Sequence, residues 1–353
     1  MRVRPTVGPR PPLELSERQA SVLRAVVTGY VGEAAPIGSE TLARLLPIRL
    51  SSASIRSVLG ELAGLGLVDK PHASAGRVPT EQGLRVFVDA LLPHTDLAPL
   101  ERRDIAWRLG DAAADDVVHV ASEILSRHTR QLGFVVTPRL DRLVLRRATL
   151  VRLSAERLLV VLVSQGGTAH QRVVETQEPL AQEELERITA ILSERVDGRT
   201  LPEVRDLLAR EAERLRHQAN RLLELAVEVG RRALAEEADA AVDLVIETRL
   251  ALLEQPELRD PTLVRDLFEA VETKERILDV LDRLLEDDGV CVALGAELEE
   301  PSLRRCALVA ARYGGRGAPL GMLGVIGPSR MDYPRVVALV EYLSRAIGEK
   351  LSA

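Results

Sequence analysis

Ser51-Ser52-Ala53-Ser54-Ile55-Arg56-Ser57-Val58-Leu59-Gly60-Glu61-Leu62 leads through Leu67-Val68 into Pro71-His72-Ala73-Ser74-Ala75-Gly76-Arg77-Val78-Pro79-Thr80, and the fold turns on how these residues are read. Ile55, Val58, Leu59, Leu62 and Leu65 recur at helical spacing, Ser51 or Ser52 is a side-chain cap for the first turn, and Gly66 ends the helix. The opposite face carries Ala53, Ser54, Arg56, Ser57 and Gly60, all small or hydrogen-bonding except the arginine. Gly60 and Gly64 each cost about 1 kcal/mol relative to Ala inside a helix. A face of small residues lets a helix sit deep in a DNA major groove, with Ser and Arg supplying donors to bases and phosphates. It also fits a plain solvated face in a GC-rich coding context, and this helix alone does not separate the two.

Working outward, Ser16 is an N-cap before a helix in which Val22/Leu23, Val26/Val27 and Tyr30/Val31 repeat every four residues, closed by Gly29, Gly32 and Pro36. Ser39 caps a short second helix with Leu42, Leu45 and Leu46 inward and Pro47 as its stop. Three helices at this spacing are those of a helix-turn-helix. Leu67-Val68 then begins a strand, the loop from Pro71 to Pro79 returns as a second strand, and Thr80 caps a helix with Leu84, Phe87, Val88 and Leu91 inward and Pro93 ending it. Helix-turn-helix, β-hairpin and helix in this order predict a winged helix. In that arrangement Arg56, with Ser54 and Ser57, faces the base edges, and Ser52 is a further DNA-binding residue. His72, Ser74 and Arg77 at the wing reach the backbone or minor groove, and Arg49 reaches a phosphate at the helix entrance. As a catalytic group His72 has no partner carboxylate or nucleophile nearby in sequence.

Charge is consistent with such a head. Residues 1–95 hold 11 Arg/Lys against 8 Asp/Glu, a net of +3, which leaves −9 for the remainder of a chain whose total is −6. Only Cys291 and Cys306 are present, too few for a disulfide framework. Residues 1–12 hold three Arg and four Pro with no apolar run behind them, so they read as a flexible arm (1–14) and not a signal peptide. No stretch approaches the roughly 18 apolar residues of a membrane span, and the expected compartment is cytoplasmic.

Beyond Pro93–Pro99, a linker, residues 101–132 have helical spacing, and runs at 142–153, 157–164 and 169–176 read as an antiparallel meander turning at Gly166-Gly167. Residues 181–286 read as largely helical, with breaks at Asp197-Gly198, Pro256 and Pro261, and the leucine-rich stretch Pro202–Val229 needs a packing partner. Strands return at 289–294, 303–310 and 320–327, before a last helix over about 333–347. A sheet begun near 142 and completed near 327 predicts one α/β domain carrying an insertion.

The remaining motifs do not make an active site. Gly315, Gly317 and Gly321 lack the dinucleotide spacing, and no strand-to-helix turn follows them. The six histidines are scattered without metal-ligand spacing, so no metal or cofactor is expected. Asp287-Asp288 and Glu299-Glu300 read as solvated acids. Met331-Asp332-Tyr333 either lines a ligand pocket or caps the last helix through Asp332.

The stretches 51–56 and 71–80 resemble the signatures of the HrcA family, the bacterial heat-inducible repressors of chaperone operons. Gly321-Met322-Leu323-Gly324-Val325-Ile326-Gly327-Pro328-Ser329-Arg330-Met331-Asp332-Tyr333 resembles that family's C-terminal signature, and Gln255-Pro256-Glu257-Leu258 and Cys306-Ala307-Leu308-Val309 are similar to further parts of its pattern. Ser57 stands where the family usually has Asn, Ser54 where Thr is usual, and Leu84 where an aromatic is common. The resemblance implies an α+β multidomain chain. Its parts are a winged helix-turn-helix (15–95), a GAF-like α/β domain (96–178 and 256–353) and a largely helical inserted dimerisation segment (179–255). It further implies a non-enzymatic repressor that binds an inverted-repeat operator in double-stranded DNA as a homodimer, is heat-labile and needs a chaperonin to reach its active fold. A metabolite-sensing regulator with a ligand pocket in the GAF-like domain is the alternative.

Overall fold

A computed structural model describes residues 3–5, 13–47, 50–72, 75–113, 116–137, 143–167, 169–176, 179–215, 221–233, 244–247, 252, 255–272, 274–285, 289–315 and 318–352. Arg49 and Ser74 therefore lie outside the described residues, as do Asp287, Asp288 and Gly317.

The N-terminal part is built from α1 (Glu17–Glu33), α2 (Ser39–Leu45), α3 (Ser52–Gly64), the two-stranded ribbon β2 (Val68–Asp69) and β3 (Val78–Pro79), and α4 (Glu81–Val86). A π-helical turn, Phe87–Leu91, continues α4. Ser16 closes a capping box on α1: its Oγ accepts from Gln19 N at 3.3 Å, and its own N donates to Gln19 Oε1 at 3.0 Å. Ser51 caps α3, whereas at α2 the helix takes in Ser39 itself and Gly38 holds the cap position. Thr80 caps α4 by accepting from Gly83 N at 3.0 Å, and its hydroxyl donates to Gly66 O at 2.6 Å. The helices bury most of the stripe their spacing predicts: Val22, Leu23, Val26 and Val27 on α1, Leu42 on α2, and Ile55, Val58, Leu59 and Leu62 on α3. Leu45 and Leu65, expected inward at the helix ends, are exposed.

The body is a six-stranded sheet in the order β1 (Val3–Pro5), β10 (Val290–Leu294), β11 (Cys306–Gly315), β12 (Ala318–Pro328), β4 (Leu132–Val136) and β9 (Leu244–Glu247). Alternate residues serve opposite faces. Val290, Val292, Leu294, Ala307, Val309, Leu323 and Val325 share a core with the N-terminal helices, with α6 (Val117–Thr129) and with the last helix, α12 (Tyr333–Ser352). Cys291, Ala293, Cys306, Leu308, Ala310 and Ile326 pack with α10 (Pro261–Glu272) and α11 (Lys274–Leu284) on the other side. Helices cover both faces, so these strands are continuous apolar runs without polar alternation.

A separate four-stranded sheet, in the order β7 (Ala169–Glu175), β6 (Arg157–Ser164), β5 (Val144–Arg152) and β8 (Arg199–Thr200), lies with α7 (Gln182–Val196), α8 (Leu201–Leu215) and α9 (Arg221–Ala233). Its core gathers Leu145, Leu150, Leu158, Val160, Leu162, Ile188, Leu192, Val204, Leu208 and Val227 into one cluster.

The mixed α+β, multidomain architecture matches the sequence reading; several details do not. The meander and the C-terminal strands form two sheets: the meander pairs with β8 and packs one face on α7, and its strands share no ladder with the six-stranded sheet. The hydrophobic cluster of this second sheet gathers buried residues from Leu145 to Ala233. Residues 101–132 hold two helices, α5 (Pro99–Asp111) and α6, and the strand β4 begins at Leu132. Leu244–Glu247 is a strand inside the region read as helical; paired with β4, it gains a ladder that its own four residues do not advertise. Part of the expected flexible arm is a strand: Val3, Arg4 and Pro5 pair in parallel with Val290, Cys291 and Val292, taking the open edge of β10.

Candidate nucleic-acid interface

Within α3 the first turn is spent on the cap. Ser51 Oγ accepts from Ser54 N at 3.1 Å and donates to Ser54 Oγ at 3.0 Å, so Ser54 is half-buried and engaged within its own helix. Ser52 is half-buried in the same turn. Ala53, Arg56, Ser57 and Gly60 are exposed. Arg56 makes no hydrogen bond or ion pair with any described residue, whereas Ser57 Oγ donates to Glu61 Oε1 at 3.4 Å. Gln19 Nε2, from α1, holds the other oxygen of Glu61 at 2.9 Å. The helix thus presents one free guanidinium among small side chains, and the acid beside it is already partnered.

The ribbon is anchored at its base. Ile37 and Arg77 exchange both backbone bonds at 2.9 Å, which leaves the half-buried Arg77 side chain with no ion pair among the described residues. Gly76 makes this possible, since a Cβ there would lie 2.5 Å from the Ile37 carbonyl. His72 is exposed, and its carbonyl accepts from Ala75 N at 2.9 Å. The structure therefore presents Arg56 and Ser57 on α3 and His72 and Arg77 on the ribbon. Ser52 and Ser54 are turned partly to structural use, while Arg49 and Ser74 lie outside the described residues.

Sequence reasoning missed the groups that tie this part to the body. Arg85 of α4 is 6 % exposed. It donates to Val292 O at 2.7 Å and to Glu297 Oε2 at 2.9 Å, and it pairs with Asp89 at 2.8 Å. Glu81 Oε1 accepts from Ala296 N at 3.1 Å. On the other side Arg330 grips Glu257 with two nitrogens and donates to Val31 O at 2.7 Å, capping the last turn of α1. Burial raises the Glu257 carboxyl, but the bond from Arg330 outweighs it and holds the group below its ordinary range. Arg330 and Glu257 belong to the signature-like stretches 321–333 and 255–258, and that was the only signal in the sequence.

Met331-Asp332-Tyr333 divides between its two readings. Asp332 Oδ1 accepts from Arg335 N at 3.4 Å as a long cap, Tyr333 is buried with its hydroxyl donating to Ser329 O at 2.5 Å, and Met331 and Asp332 line a cavity. Burial pushes the Cys291 and Cys306 thiols up to about 12. Among the described residues no group of three His, Cys, Asp or Glu side chains is placed to hold a metal, and no helix is long and apolar enough to cross a membrane.

These features define a class: modular α+β proteins in which a three-helix, ribbon-bearing head is bolted by a buried and a half-buried arginine to a helix-covered sheet with an inserted second sheet. Within that class the chain belongs to the HrcA family. The sequence profile described as "HrcA protein C terminal domain" matches residues 115–337. A Geobacter sulfurreducens protein named "Heat-inducible transcription repressor HrcA" is 34% identical over 340 residues, 96% of this chain and 98% of that protein. A Sorangium cellulosum protein of the same name is 36% identical over 340 residues, 95% of this chain and 98% of that one. A crystal structure described only as that of a hypothetical protein superposes with a TM-score of 0.60 at 22% identity, covering 96% of this chain and 99% of the other, and speaks to the fold alone.

Proposed function

We propose that this protein is a heat-inducible transcription repressor that reads an inverted-repeat operator as a homodimer and is not an enzyme. Its relatives over nearly the whole chain bear that name. The head is read as a winged helix and the body as a GAF-like domain. The observation that carries the DNA-binding reading is the outward face of α3, where Arg56 stands exposed beside small side chains, with no partner among the described residues. Such a face fits a major groove, where an Arg donates two bonds to a guanine edge. On this reading Arg56 and Ser57 contact bases, Ser52 and Ser54 shape the helix entrance and contact the backbone, and His72, Arg77, Ser74 and Arg49 bind phosphate or the minor groove.

Dimerisation is assigned to the inserted unit. Across its outer sheet face Val151, Leu159 and Val173 stand in one register row, with Val151 46% and Val173 43% exposed. Twofold symmetry would then place two heads on a palindromic site. Heat-lability and dependence on chaperonin extend the same proposal. A marginal fold needs only one or two kcal/mol to change its active fraction several-fold.

The test is a titration at fixed salt of a chaperone-operon inverted repeat against a scrambled duplex, with wild type and Arg56→Ala. A preference for the repeat of roughly a thousandfold, lost in the variant, is the expected result. Equal weak binding to both duplexes, with chaperonin and ATP supplied, would overturn the reading.

A further inference from the structure

Where the head meets the body, α1, the 93–98 linker and the starts of α5 and α12 surround a half-open cavity of about 630 Å³. That is the size of pockets that hold small organic ligands. Val31 and Phe87 from the head and Met331 from the body form apolar walls, and Asp96 and Asp332 sit on the rim.

Gly32 supplies an independent observation. It lies in the last turn of α1, within a helix for which glycine has a poorer propensity than Ala. Its neighbour Gly29 has a packing reason, since a Cβ there would come 3.0 Å from Leu45 Cδ1. At Gly32 a Cβ would meet nothing within 4 Å. Neither backbone conformation nor packing calls for this glycine; what it leaves is room in the cavity.

The charges around the cavity do not balance. Arg335 donates to Glu101 at 3.0 Å, and the same oxygen lies 2.7 Å from His128, so the one cation among the lining residues is already answered. Among the described residues the Asp96 carboxylate has one partner, the exposed Arg102 at 3.8 Å, and the Asp332 carboxylate accepts one long bond, from Arg335 N at 3.4 Å. We propose that this junction cavity is a binding site for a small amphipathic amine, its apolar body against Val31, Phe87 and Met331 and its ammonium at Asp332 and Asp96. An occupant that touches both parts binds only the docked arrangement, and so stabilises it by linkage. The proposal does not depend on the operator reading, because no DNA takes part in its test.

Tryptamine is the probe, with indole-3-propionate as its matched anion, in calorimetric titration and thermal melts of the full chain. Tryptamine is expected to bind and raise Tm, and the anion to bind at least about tenfold more weakly. Gly32→Leu should melt no lower than wild type yet lose about tenfold or more in tryptamine affinity, and Asp332→Asn should lose affinity with the fold unchanged. If Gly32→Leu does not fold, Asp332→Asn alone decides. Absence of tryptamine binding to wild type, equal binding of the anion, or unchanged affinity in the folded variants would overturn the proposal.

Discussion

Replacing Arg56 by Ala removes a guanidinium that no described protein group engages, so stability should stay within about 0.5 kcal/mol while operator affinity falls by about 1–3 kcal/mol with relaxed base preference. Arg77→Ala should instead weaken operator and scrambled duplex alike and lower the salt slope by about one. Duplex titrations at several salt concentrations separate the two patterns. Gly83 gives a purely structural counterpart. A Cβ there would lie 2.0 Å from Leu67 O, so Gly83→Ala must push α4 off the ribbon and should cost at least about 2 kcal/mol in a denaturant melt. Arg56 was legible in the sequence because helical periodicity alone places it opposite Ile55 and Val58. Arg85 was not. One arginine on an amphipathic helix looks solvated, and the groups that bury it, Val292 and Glu297, lie some two hundred residues away.

Elements behave according to what their flanks offer. Helices α1, α3 and α4 were readable because their caps, Ser16, Ser51 and Thr80, are local chemistry. The strands β4 and β9 were not: each is short, and their ladders, β4 with β12 and with β9, join residues more than a hundred positions apart. The same lack of long-range information merged two sheets into one. The docking of α4 rests on Arg85 against Glu297, both 7% exposed in their side chains. Arg85→Ala would strand a buried carboxylate and should cost about 3–5 kcal/mol, seen as a lower midpoint in urea and, in calorimetry, as a head transition separating from that of the body. In the inserted unit, Leu159→Arg places a charge in the middle of the Val151–Leu159–Val173 row. It should shift the sedimentation coefficient from dimer to monomer while leaving the far-ultraviolet spectrum unchanged. A dimer that survives this change would move the contact elsewhere.

At the scale of the whole molecule, two carboxylates near the head–body junction contribute to the response to acid. Glu257 is held low by Arg330 against its own burial, and Glu101, likewise part-buried, is held low by His128 and Arg335. Each folded value lies below the unfolded one. Their stabilisation is therefore complete above the ordinary glutamate value of about 4.3 and is lost as pH falls through the folded values. Tm should hold between pH 8 and pH 5 as far as these groups are concerned, then drop more steeply than in Glu257→Gln, whose curve should be flatter in acid. An identical slope in the variant would remove Glu257 from this account.

The parallel pairing of Val3–Pro5 with Val290–Val292 has a consequence in time. The strand β1 cannot take its place until nearly 290 further residues have been made. At about 5–20 residues per second, that is roughly a quarter of a minute to a minute. All that while the head can have formed around its local caps, but the sheet edge that receives the chain's beginning does not yet exist. Pairing of β1 with β10 is a late event that joins segments made far apart in time, and every nascent copy passes through an interval with this pairing unmade.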